Sequence, residues 1–334
     1  MWFRAAFNLS AAFLWLGQPV ALHVSWRVPG IVRKRLRHWV LDRTRRKAMH
    51  ALPVSLNVAT DEENPSLRVV VMGAFFTDWN DALIDRVMWQ GITNVGEVRR
   101  IVDPDELSRL PMTKAETVVI PLGEQHIRRM PPGYRSLVPE LHALEIMSDK
   151  AKFAAFMEEQ GLAMLCPQTY NSVRDVAFPC VLKPLDENGG YGVQVVKSRG
   201  QLEQLLQTGI YAGQPYLLQA YIGGDAEYTF HGVCRDGQIL WSYTVASPSD
   251  ARPRIGLDRG NLSWVAPSPL VRAQIGEVLF RLRFSGPFCA NYKLLPTGDI
   301  ALFEINPRLG GSLMVQSQRG ALRESLNCVI ENTR

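Results

Sequence analysis

The chain has 334 residues, 46% of them hydrophobic and 21% charged, and a formal net charge of +5. That length supports two or three subdomains with sizeable cores, and the balance excludes a disordered chain and a polytopic membrane protein. Residues 1–47 hold ten of the 37 Lys and Arg and one of the 32 acids, Asp42, so the remaining chain carries a net charge of −4. A nucleic-acid partner would rest on that arm alone and is not expected.

The arm comes first in the chain. Residues 5–24 are largely apolar, interrupted by Asn8, Ser10, Gln18, Pro19 and His23. A spanning helix needs about 20 apolar residues, and Pro19 falls inside the stretch. A secretory signal is disfavoured because no small-residue cleavage site follows. In residues 27–47, Val32, Leu36, Trp39 and Val40 follow helical spacing, with Arg33, Arg37 and Arg45 elsewhere on the wheel. Two readings stand for residues 1–47: peripheral contact with an anionic membrane, or packing on the protein's own body. Residues 51–66 read as a linker, closing an arm-and-linker segment at 1–60.

From residue 67 strands alternate with helices. The apolar run 67–73 predicts a buried parallel strand ending in Gly73. Residues 78–90 predict a helix, 94–103 a strand, 104–110 a short helix with Pro104 first, and 116–122 a strand. This alternation predicts a small parallel α/β unit over 67–147, with ligands beyond the carboxyl ends of its strands. Phe75, Phe76, Thr77, Asp78, Glu124, Gln125 and His126 fall there, His126 as either a ligand or a packing residue. No G-x-G-x-x-G follows the first strand, so a nicotinamide site gets no support.

Residues 148–160 predict a helix with Ser148 as N-cap, ended by Gly161. A strand then ends in Lys183-Pro184, and a Gly-bearing loop at 187–192 leads into a second strand. Lys183 supplies a point charge, and Gly189, Gly190 and Gly192 let backbone amides approach phosphate oxygens. An ordinary hairpin would use the same residues. Further on, Leu217-Leu218 lead to Gln219 and Tyr221-Ile222, a turn at Gly223-Gly224, and Glu227 opening another strand. Such a hinge can present backbone groups to a base edge, and the Glu can accept from ribose hydroxyls.

The sharpest pattern spans 288–312. Two strands flank a turn at Thr297-Gly298-Asp299, and Glu304 and Asn306, two apart, share one face with Asn291 opposite. Three oxygen-bearing side chains suit Mg²⁺, and Arg308 supplies a cation for a transferring phosphoryl group. The loop 247–264 carries Arg252, Arg254 and Arg259 and reads as a substrate lid or as a solvated loop. The five cysteines (Cys166, Cys180, Cys234, Cys289 and Cys328) are odd in number and widely spaced, with Cys180, Cys234 and Cys289 in apolar runs. Free buried thiols in a reducing compartment are expected.

With these residues in place, residues 67–315 resemble the ATP-grasp superfamily, similar to D-alanine–D-alanine ligase, biotin carboxylase and the carbamoyl phosphate synthetase large chain. The ordered set that carries the resemblance is Asp149-Lys150, Lys183-Pro184, the 187–192 loop, Gln219 to Glu227, and Glu304-Ile305-Asn306-Pro307-Arg308. It implies a mixed α/β and α+β chain: an ATP-grasp fold over 148–334, divided near 218, preceded by a Rossmann-like α/β domain. It also implies that Lys150 and Lys183 contact ATP phosphates under a lid that includes Glu187, Gly189, Gly190, Tyr191 and Gly192. Gln219, Ala220, Tyr221 and Ile222 would form the adenine hinge, Glu227 would hold the ribose, and Asn291, Glu304 and Asn306 would bind Mg²⁺, with Mn²⁺ as a substitute. Arg308, with Lys183, would be catalytic. Asn291 stands where many relatives have Asp, and Gln219 replaces a frequent Glu.

The implied activity is a cytoplasmic, ATP-dependent carboxylate–amine ligase acting through an acyl phosphate, with small-molecule acid and amine substrates and often a homodimer. Alternatives are a carboxylase acting through carboxyphosphate, which Asn291 favours, and a non-catalytic ATP sensor or scaffold tethered by the basic arm.

Overall fold

The computed structural model of the chain describes residues 55–58, 67–73, 77–92, 94–110, 113–114, 116–185, 190, 192–208, 211–249, 262–266 and 268–333. The N-terminal arm and both readings of it lie outside these residues. Among the described residues no helix is long and apolar enough to cross a membrane, and three sheets form.

The first sheet contains β1 (Ser55–Asn57), β2 (Leu67–Met72), β3 (Val95–Ile101) and β4 (Thr117–Pro121), in the order β1-β3-β2-β4. Strand β2 pairs in parallel with β3 and β4, as the apolar run predicts. Alternate side chains of β2 feed two cores: Val69 and Val71 pack with Val98, Val118 and Ile120, while Val70 and Met72 pack with Ile101, Leu107 and Val119. A strand buried on both faces reads as an unbroken apolar run for this reason. The expected linker holds an edge strand instead: β1 pairs antiparallel with β3, Leu56 packs on the core, and Ser55 Oγ donates to Glu97 Oε1 at 2.9 Å.

The helix expected over 78–90 is two helices, α1 (Thr77–Ile84) and α2 (Arg86–Trp89). Asp85 breaks it, because its extended backbone and its carboxylate, accepting from Val87 N at 3.0 Å, cap α2. The short helix expected at 104–110 is a 3₁₀ turn, Pro104–Arg109, with a complete capping box between Asp103 and Glu106. Helix α3 (Glu124–Arg128) follows β4, then α4 (Leu141–Ser148) and α5 (Lys150–Glu159). Ser148 is not the N-cap of α5. It ends α4, its hydroxyl donating to Leu144 O at 2.6 Å, while Asp149 caps α5 by accepting from Ala151 N (2.8 Å) and Lys152 N (3.1 Å).

The second sheet is antiparallel: β5 (Thr169–Tyr170), β6 (Cys180–Pro184), β7 (Gln194–Val196) and β8 (Tyr216–Ala220), in the order β5-β8-β6-β7, with α6 (Arg199–Gln207) packed through Leu202. The third sheet holds β9 (Ala226–Arg235), β10 (Gln238–Pro248), β11 (Ser263–Val265), β12 (Gly286–Leu294) and β13 (Ile300–Asn306), in the order β11-β10-β9-β12-β13. Helix α7 (Pro269–Arg281) buries Val271, Ile275, Val278 and Leu279 in that sheet's core. The ends of the loop expected at 247–264 are paired strand, with Ala246 opposite Ser263; its three arginines lie outside the described residues.

Helix α8 (Arg319–Glu331) returns to the first sheet. Leu322, Leu326, Val329 and Ile330 join the core of β2 and β4, together with Leu309, Leu313 and Met314. Each such fully buried side chain contributes about 2 kcal/mol. This closure draws the segment after β13 towards the carboxyl ends of the parallel strands. All five cysteines are free; Cys180, Cys234 and Cys289 are buried, and burial pushes the Cys289 thiol up to about 11.

Candidate active site

Strands β12 and β13 pair with Asn291 opposite Glu304 and Cys289 opposite Asn306, with a register shift between Asn291 and Tyr292. Glu304 Oε1 accepts from Asn291 Nδ2 and from Asn306 Nδ2, both at 3.0 Å. Thr229 Oγ1, from β9, donates to Asn291 Oδ1 at 3.0 Å. Burial opposes the Glu304 charge. The Asn306 and Asn291 amides and the ammonium groups of Lys150 and Lys183 outweigh it, so the carboxyl sits below its usual range.

The chemistry of this donor set fits a hard cation. It is oxygen-bearing throughout, and its single carboxylate is ionised. Both amides now turn N–H towards Glu304, and rotating either one presents its oxygen instead. Among the described residues there is no group of three or more His, Cys, Asp and Glu that could hold a metal. One carboxylate and two amides make a weakly charged set, suited to an ion that arrives with phosphates.

Lys183 projects from β6 to β8, where its Nζ donates to Gln219 Oε1 at 2.8 Å and lies 5.2 Å from the centroid of the Phe303 ring. Gln219 Nε2 donates to Thr169 Oγ1 at 3.3 Å. Burial lowers the Lys183 pKa, Glu304 and Glu227 raise it, and Lys150 lowers it, so two cations and two carboxylates share one electrostatic neighbourhood. The partner of Lys183 is a neutral amide, which leaves its positive charge available to a phosphate. Lys150 Nζ reaches Leu185 O at 3.5 Å, beside the Gly-bearing loop. The Tyr211 hydroxyl donates to Gly192 O and lies 3.2 Å from Leu182 O, fixing the far end of that loop. Ala220 ends β8, half-buried Tyr221 and Ile222 follow it, and half-buried Glu227 stands at the start of β9.

Arg308 joins the third sheet to the first. Its Nε lies 3.2 Å from Glu124 Oε1, its Nη2 donates to Asn306 Oδ1 at 3.4 Å, and its guanidinium lies 5.8 Å from the Trp79 ring centroid. Glu124 is therefore at the site, as its place beyond β4 predicts. His126 is buried and packs on Gly73, where φ is +110° and a Cβ would stand 2.3 Å from the imidazole. A second buried histidine went unnoticed in the sequence. His231 on β9 bonds through Nε2 to Ser312 Oγ at 2.7 Å and covers Gly310, where a Cβ would also stand 2.3 Å from the ring. Burial pushes its pKa down to about 3, so it stays neutral and supports the 307–312 segment from below.

The structure thus brings Lys150, Lys183, Gln219, Asn291, Glu304, Asn306 and Arg308 towards one region. Glu187, Gly189, Tyr191, Phe75 and Phe76 lie outside the described residues, as do the side chains of Thr77 and Asp78. Thr229, Thr169, Trp79, His231 and Lys293 were not anticipated. For Lys293 a signal existed, since it stands two residues after Asn291 on the same strand.

No protein-family model matches the chain. It is 22% identical over 202 residues to the arginine-specific large chain of carbamoyl phosphate synthase from Bacillus subtilis, covering 56% of this chain and 19% of that protein. The chain spans less than half the length of the curated relatives it matches. Phosphoribosylamine–glycine ligase from Thermotoga maritima superposes with a TM-score of 0.57 at 15% identity, over 74% of this chain and 70% of that one. The D-alanine–D-alanine ligase of Bacillus anthracis, solved with ATP, superposes with a TM-score of 0.54 at 15% identity, over 79% and 96%. These likenesses and the three-sheet architecture define the class: the chain has the ATP-grasp fold, preceded by a small Rossmann-like sheet.

Proposed function

We propose that this protein is an ATP-dependent ligase that activates a small-molecule carboxylate as an acyl phosphate and joins it to an amine. The observation that carries the reading is Glu304 held between the Asn291 and Asn306 amides, with the charges of Lys150 and Lys183 favouring its carboxylate form. A carboxylate and two lysines in one electrostatic neighbourhood suit a site where a polyphosphate and its cation bind together.

In this reading Lys150 and Lys183 hold the phosphates of ATP, and the 187–192 loop closes over them. The 219–222 segment takes the adenine and Glu227 the ribose. Asn291, Glu304 and Asn306 would hold Mg²⁺, which when bound would neutralise phosphate charge. The acid's carboxylate attacks the γ-phosphorus, the bond to the β,γ-bridging oxygen breaks and ADP leaves, with Lys183 countering the charge that develops. The amine then attacks the acyl carbon and phosphate leaves, while Arg308 stabilises the oxyanion of the tetrahedral adduct. The amine arrives neutral and the N–H proton it loses on forming the amide passes to the departing phosphate, so no dedicated base is assigned. Buried free thiols fit a reducing, cytoplasmic compartment.

The test is ADP release with Mg-ATP and pooled carboxylates and amines, read with product mass. Pool-dependent ADP release that disappears in Glu304→Ala supports ligation. A strict bicarbonate requirement moves the assignment to carboxylation, and bound ATP with silence from every pool moves it to a sensor.

A further inference from the structure

Lys293 stands on β12, two residues beyond Asn291, and is only 5% exposed. Nζ donates to Ile222 O at 3.1 Å and to Gly224 O at 3.3 Å, and it lies 5.7 Å from the centroid of the Tyr221 ring. All three partners belong to the segment that connects β8, in the lid-bearing sheet, to β9, in the metal-facing sheet. That connection contains Gly223 and Gly224, Gly224 has φ +119°, and a Cβ at either glycine would meet nothing within 4 Å. Two adjacent glycines give this connection a wide choice of backbone conformations, which a fixed hinge must give up.

A buried ammonium is costly unless it is hydrogen-bonded, and here both bonds that offset that cost go to the backbone of one connection. We propose that Lys293 is a positioning residue that staples the 221–224 hinge to β12 and thereby sets the affinity for the nucleoside end of the nucleotide. The inference rests on the ATP reading of the site. With the carbonyls of Ile222 and Gly224 tied down, the hinge is fixed before a base arrives, and binding does not bear the ordering cost. Burial lowers the Lys293 pKa, while Glu227 and Asp225 hold it up. Through its two carbonyl partners the ammonium links the 221–224 segment to the strand bearing Asn291.

The experiment is calorimetric titration of the full chain with Mg-ATP and separately with Mg-ADP, for wild type, Lys293→Met and Lys293→Arg. Losing a charged donor to two carbonyls should raise Kd by roughly tenfold. Because the hinge meets the base rather than the phosphates, ATP and ADP should weaken by the same factor, and Lys293→Arg should recover most of the loss. In turnover assays the change should fall on KM for ATP and leave KM for the acid alone. If Lys293→Met does not fold, Lys293→Gln is read in the same way. An unchanged Kd in a folded variant, or a loss much larger for ATP than for ADP, overturns the inference. A wild-type chain that binds neither nucleotide sinks the proposed function itself, so the two failures are distinct.

Discussion

Arg308 Nε lies 3.2 Å from Glu124 Oε1, and the two residues stand 184 positions apart. One follows the last strand of the third sheet and the other opens the helix after β4, so the pair closes the site across two sheets. The same guanidinium reaches Asn306 Oδ1, tying the residue assigned to the oxyanion to the residue assigned to the cation.

Both partners are partly shielded, at 14% and 27% side-chain exposure, which places the pair above a surface ion pair and below a buried one. A double-mutant cycle with Glu124→Gln and Arg308→Gln, read by chemical denaturation, should give a coupling of about 1 kcal/mol. Turnover should respond differently. Arg308→Gln should lower kcat by about 10²-fold, the usual loss of one oxyanion donor, and Glu124→Gln by less, through misplacement of Arg308.

The depressed Glu304 pKa fixes a sign. A carboxylate with a folded pKa below its ordinary value of 4.5 contributes stability that is present above that value and lost as pH falls below it. Unfolding free energy measured from pH 6 downward should therefore drop more steeply in wild type than in Glu304→Gln once the pH passes below about 4.5. Parallel curves would mean that Glu304 is not held ionised.

With one carboxylate and two amides, the donor set should bind Mg²⁺ weakly by itself. Titrating Mg²⁺ into the protein should give little heat without ATP and a saturable signal with it, and Asn291→Asp should strengthen the binding of Mg²⁺ alone. Tight binding of Mg²⁺ to the free protein would argue for ligands beyond these three.

His231 titrates in the folded protein only near pH 3, against 6.5 in an unfolded chain. Between those values the unfolded state takes up a proton that the folded state refuses, so stability falls as pH falls. Between pH 6.5 and 5 wild type should lose about 2 kcal/mol more than His231→Gln, as measured by urea unfolding. At the same place Gly310→Ala should cost about 1–3 kcal/mol, because the new methyl meets the imidazole, and removing the ring with His231→Ala should return part of that loss.

The sequence made the β12–β13 pair legible because a carboxylate and an amide two apart follow a turn with Gly298, but not the register shift between Asn291 and Tyr292 that sets Asn291 opposite Glu304. The buried run Val69–Met72 was legible for a similar reason. Asp85 breaks a helix whose apolar spacing, Trp79, Ala82, Leu83, Met88 and Trp89, continues across the break, so periodicity alone could not reveal it. Ser148 and Asp149 are both capping types, and only the second has the extended backbone and two amide donors. The strand at Ser55–Asn57 is too short to carry a pattern. Pairings such as Arg308 with Glu124, and Lys293 with two backbone carbonyls, depend on tertiary proximity that no local spacing encodes.

Activation of a carboxylate by ATP is tested most directly with carboxylates labelled with ¹⁸O in both oxygens, pooled with amines and incubated with Mg-ATP and the protein. The mass of the released phosphate is the readout. An acyl phosphate requires phosphate that carries one oxygen from the acid, formed together with ADP and absent with Glu304→Ala. Pool-dependent ADP accompanied by unlabelled phosphate would contradict the account.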